Sequence, residues 1–461
     1  MTNADLDHYL ECKLQSLWAW NYRDALIRAA VLVALTATTA SAQSSAPSST
    51  APVIFRGEMP SLQFSGEEEP RNLLIAGATA RAFFDDNALN NNLHRESDID
   101  YLIQPYVGFD EARKRLHFTA KYSPGVVIHQ ILARRDLFLD GGFAELDYML
   151  THHSFVQFLG QYNVATDPWF SAPSEPSNLL DQLGSTLITA PAKITTERAG
   201  ANLDYQRSRH SLIELSGNFY NLRYEEFPGE SIQLLDSQLI TGKASYVYRL
   251  SPRHTTGVMY QYQDLSLTRS LPAHNEINGL YYVHTVSFTP TSQLQLFAGP
   301  EYTRTFNEVA LGLGIIEILL PIKQDSWSWA GGASYGWQAK RTSLTASVVH
   351  EVGAGGGLLS AVRLTDASAG LRRQLSQSWT AYVRASYSDN NLLDVVNDEA
   401  YVRLLMGGGG VTRKLSDSLS LDMRYERERQ NRLFDTQAIR ADHNWAWLSL
   451  NYQFKHRLGG Q

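Results

Sequence analysis

A sustained two-residue rhythm limits what this chain can fold into. From about Asn72 to Phe454 it runs in segments of roughly ten residues that alternate polar and apolar side chains, many ending in Tyr, Trp or Phe and separated by turn residues. In residues 444–454, Ala446, Leu448, Leu450, Tyr452 and Phe454 fall on one face, with Trp447, Ser449, Asn451 and Gln453 on the other. Tyr382, Arg384, Ser386 and Ser388 alternate in the same way with Trp379, Ala381, Val383, Ala385 and Tyr387. A strand has period two, so each segment offers one polar and one apolar face, as a sheet between lipid and water requires. Lipid cannot satisfy open strand edges, so such a sheet has to close. The expected fold is all-β: an antiparallel transmembrane up-and-down β-barrel.

The amino terminus points to export. Arg23 and Arg28 precede the apolar stretch Ala29–Leu35 and then the small-residue site Ala40-Ser41-Ala42, the layout of a secretory signal peptide over residues 1–42. The only cysteine, Cys12, lies upstream of Arg23 in an unusually long leader, which suggests that the real start codon lies further downstream. A mature chain without cysteine can hold neither a disulfide framework nor a thiolate metal site. The net charge of −7 gives no basis for a nucleic-acid partner or a polybasic lipid patch. Residues 43–71, rich in Ser and Pro and then acidic at Glu67-Glu68-Glu69, read as a flexible periplasmic extension whose apolar islands could dock in the barrel mouth. The barrel is expected over 72–455, followed by a short tail, 456–461.

The connections alternate in length. Eight short turns, such as Thr151–Ser154, Thr289–Ser292 and Leu415–Ser418, interleave with nine longer connections, the latter near 87–97, 130–142, 167–192, 226–236, 269–275, 307–325, 353–358, 389–398 and 431–440. Short periplasmic turns and longer extracellular loops are expected of an outer-membrane barrel. The count gives about 18 strands, or 16 if the weakly patterned stretches near 299–325 or 355–375 are overcounted. Within the loop at 307–325, the apolar stretch Ala310–Ile322 either tucks inside or extends a strand pair above the membrane. Gly407–Gly410 mark a bend or the close approach of another chain segment.

The first strand ends in Ala80-Arg81-Ala82-Phe83-Phe84-Asp85-Asp86-Asn87-Ala88-Leu89. An aromatic strand end followed by Asp-Asp-Asn resembles the first hairpin of the β-barrel porin 2 family, and the resemblance implies an outer-membrane barrel that serves exopolysaccharide or small-solute passage. A second copy occurs at Arg384-Ala385-Ser386-Tyr387-Ser388-Asp389-Asn390-Asn391-Leu392. Asp85, Asp86 and Asp389 are hard-cation ligand types. The simpler reading is that Asp-Asn starts a loop by bonding its own backbone, since nothing in the sequence brings the two copies together. No metal, cofactor or catalytic residue is therefore assigned. The final strand resembles the signal that barrel-assembly machinery recognises, carried by Leu450, Tyr452 and Phe454, although Lys455–Gln461 follow it.

A barrel of 16 to 18 strands leaves an aqueous channel. The polar phase of each strand nominates His117, Lys121, Glu145, Asp147, Arg198, Asp204, Glu214, Lys243, Arg249, Arg384, Asp422 and Arg424 as lumen-lining residues. Both charges occur in near balance, which suits a hydrated wall and not a filter with rings of one sign. The longest connection, 167–192, carries Asp167, Trp169, Phe170 and Asp181 and is the candidate constriction, by analogy with general porins. The sequence contains no Gly-x-Ser-x-Gly and no His-Glu-x-x-His. A porin-like channel for polar solutes or saccharides is the expected function. Its rivals are a dedicated exopolysaccharide secretion barrel, for which lumen aromatics such as Tyr281, Tyr382 and Trp447 would speak, and a non-conducting structural barrel. Expected partners are outer-membrane lipid, barrel-assembly machinery, a small polar solute or saccharide, and further copies in a homo-oligomer.

Overall fold

The computed structural model describes residues 71–89, 92–132, 137–165, 192–226, 234–268, 273–313, 316–355, 359–393, 400–434 and 437–458, and within them every regular element is a strand. In chain order the strands are β1 (Arg71–Asp85), β2 (Asp98–Arg113), β3 (Leu116–Tyr122), β4 (Gly125–His129), β5 (Leu137–Thr151), β6 (Ser154–Ala165) and β7 (Ala192–Ser208). They continue as β8 (Ser211–Glu226), β9 (Asp236–Arg249), β10 (His254–Thr268), β11 (Ala273–Thr289), β12 (Ser292–Leu313) and β13 (Ile316–Gln338). The last six are β14 (Thr342–Gly355), β15 (Leu359–Gln374), β16 (Trp379–Leu392), β17 (Tyr401–Lys414), β18 (Leu419–Phe434) and β19 (Gln437–Arg457).

All pairings are antiparallel, and β1 pairs with β19 from Leu73↔Arg457 to Asp85↔Trp445, so the sheet closes on itself. β3 and β4 lie end to end in one position, because β2 and β5 each pair with both. The nineteen described segments therefore fill eighteen positions in the wall. The interruption falls at Ser123-Pro124, where proline has no N–H to give the ladder. Neighbouring groups replace what is lost: Ser123 N donates to Gly141 O at 2.7 Å, and Gln104 Nε2 donates to Ser123 O at 3.2 Å.

Antiparallel partners point to the same side of a sheet, so the register assigns a face to every residue. Ile103, Phe158, Leu215, Ile240, Val258, Leu280, Val383, Leu405 and Leu448 all fall on the outer face and are exposed. Aromatics flank this apolar band on both sides. Tyr148, Tyr205, Tyr246, Tyr248 and Phe288 lie outward near the short turns, and Phe84, Tyr101, Tyr162, Trp329 and Tyr425 lie outward near the opposite ends. A closed sheet with an apolar outer band between two aromatic girdles is the architecture of an outer-membrane barrel.

Two expected long loops are instead strand. β12 and β13 stay paired as far as Leu313↔Ile316, and β18 and β19 as far as Phe434↔Gln437, so the described residues of 307–325 and 431–440 belong to extended paired strands. A hairpin satisfies its own backbone groups and needs no further support to project beyond the band. Of the two readings of Ala310–Ile322, the backbone follows the strand extension. The ladder also reaches Arg457, which takes the first residues of the expected tail into β19. Residues 1–70 fall outside the described residues, with the expected signal peptide and nearly all of the amino-terminal extension.

Candidate functional site

The inner face is built by the residues opposite in phase to the lipid-facing set. The register carries His117, Lys121, Glu145, Asp147, Arg198, Asp204, Glu214, Lys243, Arg384, Asp422 and Arg424 onto this face, with Arg249 in the same phase at the short-turn rim. Asp167, Trp169, Phe170 and Asp181 lie outside the described residues. Leu450, Tyr452 and Phe454 face outward, opposite Ala80, Ala78 and Ala76 of β1.

The inner polar groups bond to one another across strands. On one stretch of wall, Asn202 donates to Gln157 at 2.8 Å and Gln157 to Glu145 at 2.7 Å, a relay over β7, β6 and β5. Beside it, His117 lies 3.0 Å from Asp110 and 3.7 Å from Asp147. Asp204 and Glu214 sit opposite each other on β7 and β8, and Glu214 accepts a hydrogen bond from Ser245 at 2.5 Å. Each bond spans neighbouring strands, so the network fixes the wall while leaving its remaining polar atoms toward the axis.

A denser cluster occupies β16 to β19 and β1. Arg384 holds Glu426 with Nε at 2.6 Å and a terminal nitrogen at 2.5 Å, and Glu426 is fully buried. Arg424 donates to the Tyr382 hydroxyl, and its guanidinium stands 4.8 Å from the Tyr382 ring centre and 4.6 Å from that of Trp447. Arg81 approaches Trp447 at 5.9 Å and donates to Ser449 at 2.9 Å. Arg384 and Tyr382 start on β16 yet meet partners on β18, two strands away, so both must cross β17. They cross at Gly408 and Gly410. A Cβ on Gly408 would stand 2.5 Å from the Glu426 side chain, and one on Gly410 would stand 2.6 Å from the Tyr382 hydroxyl. The glycine run thus marks a close approach, by side chains that pass over the strand.

The lumen aromatics are engaged within the wall. Trp447 lies between Arg81, Arg424 and Phe83, with ring centres 5.8 Å apart in the Phe83 pair. Tyr281 is 2% exposed, edge-on to Phe297 and bonded to Glu301 at 2.6 Å. They do not form a row of open ring faces.

The two Asp-Asn copies separate. Asp85 points inward and accepts from Asn87 N at 2.8 Å, while Asp86 accepts from Asn444 N at 2.7 Å and Asn444 Nδ2 at 2.6 Å. Asp389 faces outward and pairs with Arg403 at 3.0 Å. Sequence reasoning missed a second inward group, in which Asp98, Asp100 and His129 join Asp85 and His443. Its one sequence signal is the Asp98-Ile99-Asp100 spacing, which places two carboxylates on one face; the rest depends on register.

No protein-family model matches this chain, and no curated protein does. Among solved structures it is similar to the ferric citrate transporter FecA in its unliganded form, at 9% identity and a TM-score of 0.47, over 84% of this chain and 79% of that one. It is also similar to OpdQ of Pseudomonas aeruginosa, at 12% identity and a TM-score of 0.40, over 83% and 99% of the two chains. For OccAB3 of Acinetobacter baumannii the values are 10% and 0.42, over 84% and 99%.

Proposed function

We propose that the protein is a passive channel of the bacterial outer membrane for polar solutes. The observation that carries this reading is the eighteen-position closed wall with an apolar outside and a polar, hydrogen-bonded inside. Barrels of 16 to 18 strands are wide enough for an aqueous lumen, whereas about eight strands are filled by their own side chains. The twelve inner residues from His117 to Arg424 would line the path. Residues 167–192, with Asp167, Trp169, Phe170 and Asp181, would narrow it, and residues 43–71 would lie at its periplasmic mouth.

A polar solute fits better than a saccharide chain, because Tyr281 and Trp447 spend their ring faces on wall contacts. Transport would run down a concentration gradient, and no catalytic role is assigned. Single-channel current of the refolded mature chain, 43–461, in a planar bilayer tests the reading, repeated with 43–71 or 167–192 deleted. Steady current is expected, larger or less gated after either deletion. No current from all three proteins, despite heat-modifiable folded barrels on a gel, overturns it in favour of a structural barrel.

A further inference from the structure

At the long-loop end of β19, β1, β2 and β4, five metal-ligand side chains share the inner face on four adjacent strands. Asp85 stands opposite Asp98, Asp100 stands opposite His129, and His443 lies two residues from Trp445, the partner of Asp85 on β19. One ligand atom each from Asp98, Asp100 and His129 falls within 4.8 Å of the others. His129 Nδ1 is 2.6 Å from Asp100 Oδ1 and 3.8 Å from Asp98 Oδ2. Behind them His443 Nδ1 is 3.1 Å from Asp85 Oδ1, and its Nε2 is buried with no hydrogen-bond partner among the described residues.

The charge is what needs an answer. The side chains of Asp85, Asp98 and Asp100 are 10%, 0% and 7% exposed, and among the described residues their ion-pair partners are two imidazoles, which carry charge only when protonated. Arg95, on the connection after β1, turns to Asp86 and Asp442 instead, at 3.7 Å each. Buried carboxylates are stable only when paired or bound to a metal. Asp98 is already oriented as a ligand would be: Oδ1 accepts from Ile99 N at 2.7 Å and Ile131 N at 2.9 Å, and Oδ2 from Leu132 N at 3.0 Å. Such outer hydrogen bonds hold ligating carboxylates in place.

We propose that Asp98, Asp100 and His129 bind a first-row divalent cation, best matched by Zn2+, with the Asp85–His443 pair backing the site. An imidazole nitrogen beside carboxylates selects this class over Ca2+, which takes oxygen ligands throughout. Around a tetrahedral ion with ligands at about 2.0–2.2 Å, neighbouring ligand atoms stand roughly 3.3–3.5 Å apart. The ion replaces the proton shared by His129 and Asp100, and that pair widens while the Asp98 distances close slightly. A cation here would tie β2 to β4, with Asp85 of β1 and His443 of β19 behind it at the β1–β19 closure, and it does not depend on which solute the barrel passes.

The test is calorimetric titration of Zn2+ into protein purified from outer membranes and stripped with a chelator. One zinc per chain is expected. Asp100→Asn and His129→Gln should weaken binding at least a hundredfold, Asp85→Asn about tenfold as an outer-shell change, and the outward-facing Asp389→Asn not at all. Heat-modifiable migration identifies folded variants. Should the variants not fold, cobalt substitution of the wild-type protein decides: visible bands of a four-coordinate nitrogen and oxygen site support the proposal. No saturable zinc uptake, uptake unchanged in the folded Asp100 and His129 variants, or cobalt spectra of the hydrated ion overturns it.

Discussion

The Arg384–Glu426 pair illustrates how single residues hold the inner wall. Glu426 is fully buried and Arg384 nearly so, and removing one member of such a pair leaves an uncompensated charge at a cost of about 3–5 kcal/mol. Arg424 Nη1 also stands 4.0 Å from Glu426, so Arg384→Met should lower stability by less than that amount, and adding Glu426→Gln should recover part of the loss. Urea unfolding in lipid vesicles, followed by Trp fluorescence, checks both; equal losses in the single and double variants would mean that the pair contributes little. The glycines beneath the pair make a sharper case. Gly408→Ala and Gly410→Ala place a methyl against backbone oxygens of Tyr425 and Met423 at 2.5 Å and 2.6 Å, and overpacking of this kind costs roughly 1–3 kcal/mol. Gly407→Ala, whose nearest neighbour would be Arg384 O at 4.0 Å, should be tolerated in the same assay. Four consecutive glycines announce a close approach in the sequence. Which of them matter is decided by local approach, not by face alone: a Cβ on the outward Gly409 would also meet the backbone oxygen of Tyr382 at 2.7 Å, and the side chains that cross Gly408 and Gly410 belong to partners two strands apart that no local pattern contains.

At the scale of the strand, alternation made most of the wall legible, because a period of two assigns every residue to lipid or lumen once one residue is assigned. It fails where the backbone departs from that simple repeat. Pro124 splits one wall position into β3 and β4 without disturbing the alternation on either side, so the break is silent in the pattern. The hairpin of β12 and β13 carries an apolar run where an outer loop was expected, and only the continuous pairing to Leu313↔Ile316 identifies it as strand. The inner group around Asp98 was hidden for another reason: its members come from four strands, and Asp85 and His443 are 358 residues apart. β19 carries a prediction of its own. Tyr452 and Phe454 face lipid on the strand that closes the barrel against β1. If they also carry the assembly signal, Phe454→Ala should reduce folded barrel in cells several-fold while leaving refolding of purified chain into micelles nearly unchanged. An equal loss in both would assign Phe454 to stability alone.

The whole molecule sets the balance of charge on the inner wall, and under the proposed channel reading that balance is what a passing ion would experience. Seven of the inner acids, among them Asp98, Asp100, Glu301, Glu426 and Glu428, are buried within the wall and contribute little to the field at the axis. Lys121, Arg198, Lys243 and Arg424 remain partly exposed, as do Glu145, Asp147, Glu214 and Asp422. Opposite charges interspersed on one wall largely cancel over a Debye length of about 8 Å at physiological ionic strength. The wild-type channel should therefore discriminate weakly between K+ and Cl−, with a reversal potential near zero in a tenfold KCl gradient. Replacing Lys121 and Lys243 with Glu together removes two positive groups and adds two negative ones without touching the buried Arg384–Glu426 pair. The reversal potential should then move clearly toward that of K+, and the shift should shrink as salt rises and screening lengths fall. A strongly selective wild-type channel would locate the deciding charges outside the described wall, with Asp167 and Asp181 of the longest connection as the first residues to neutralise.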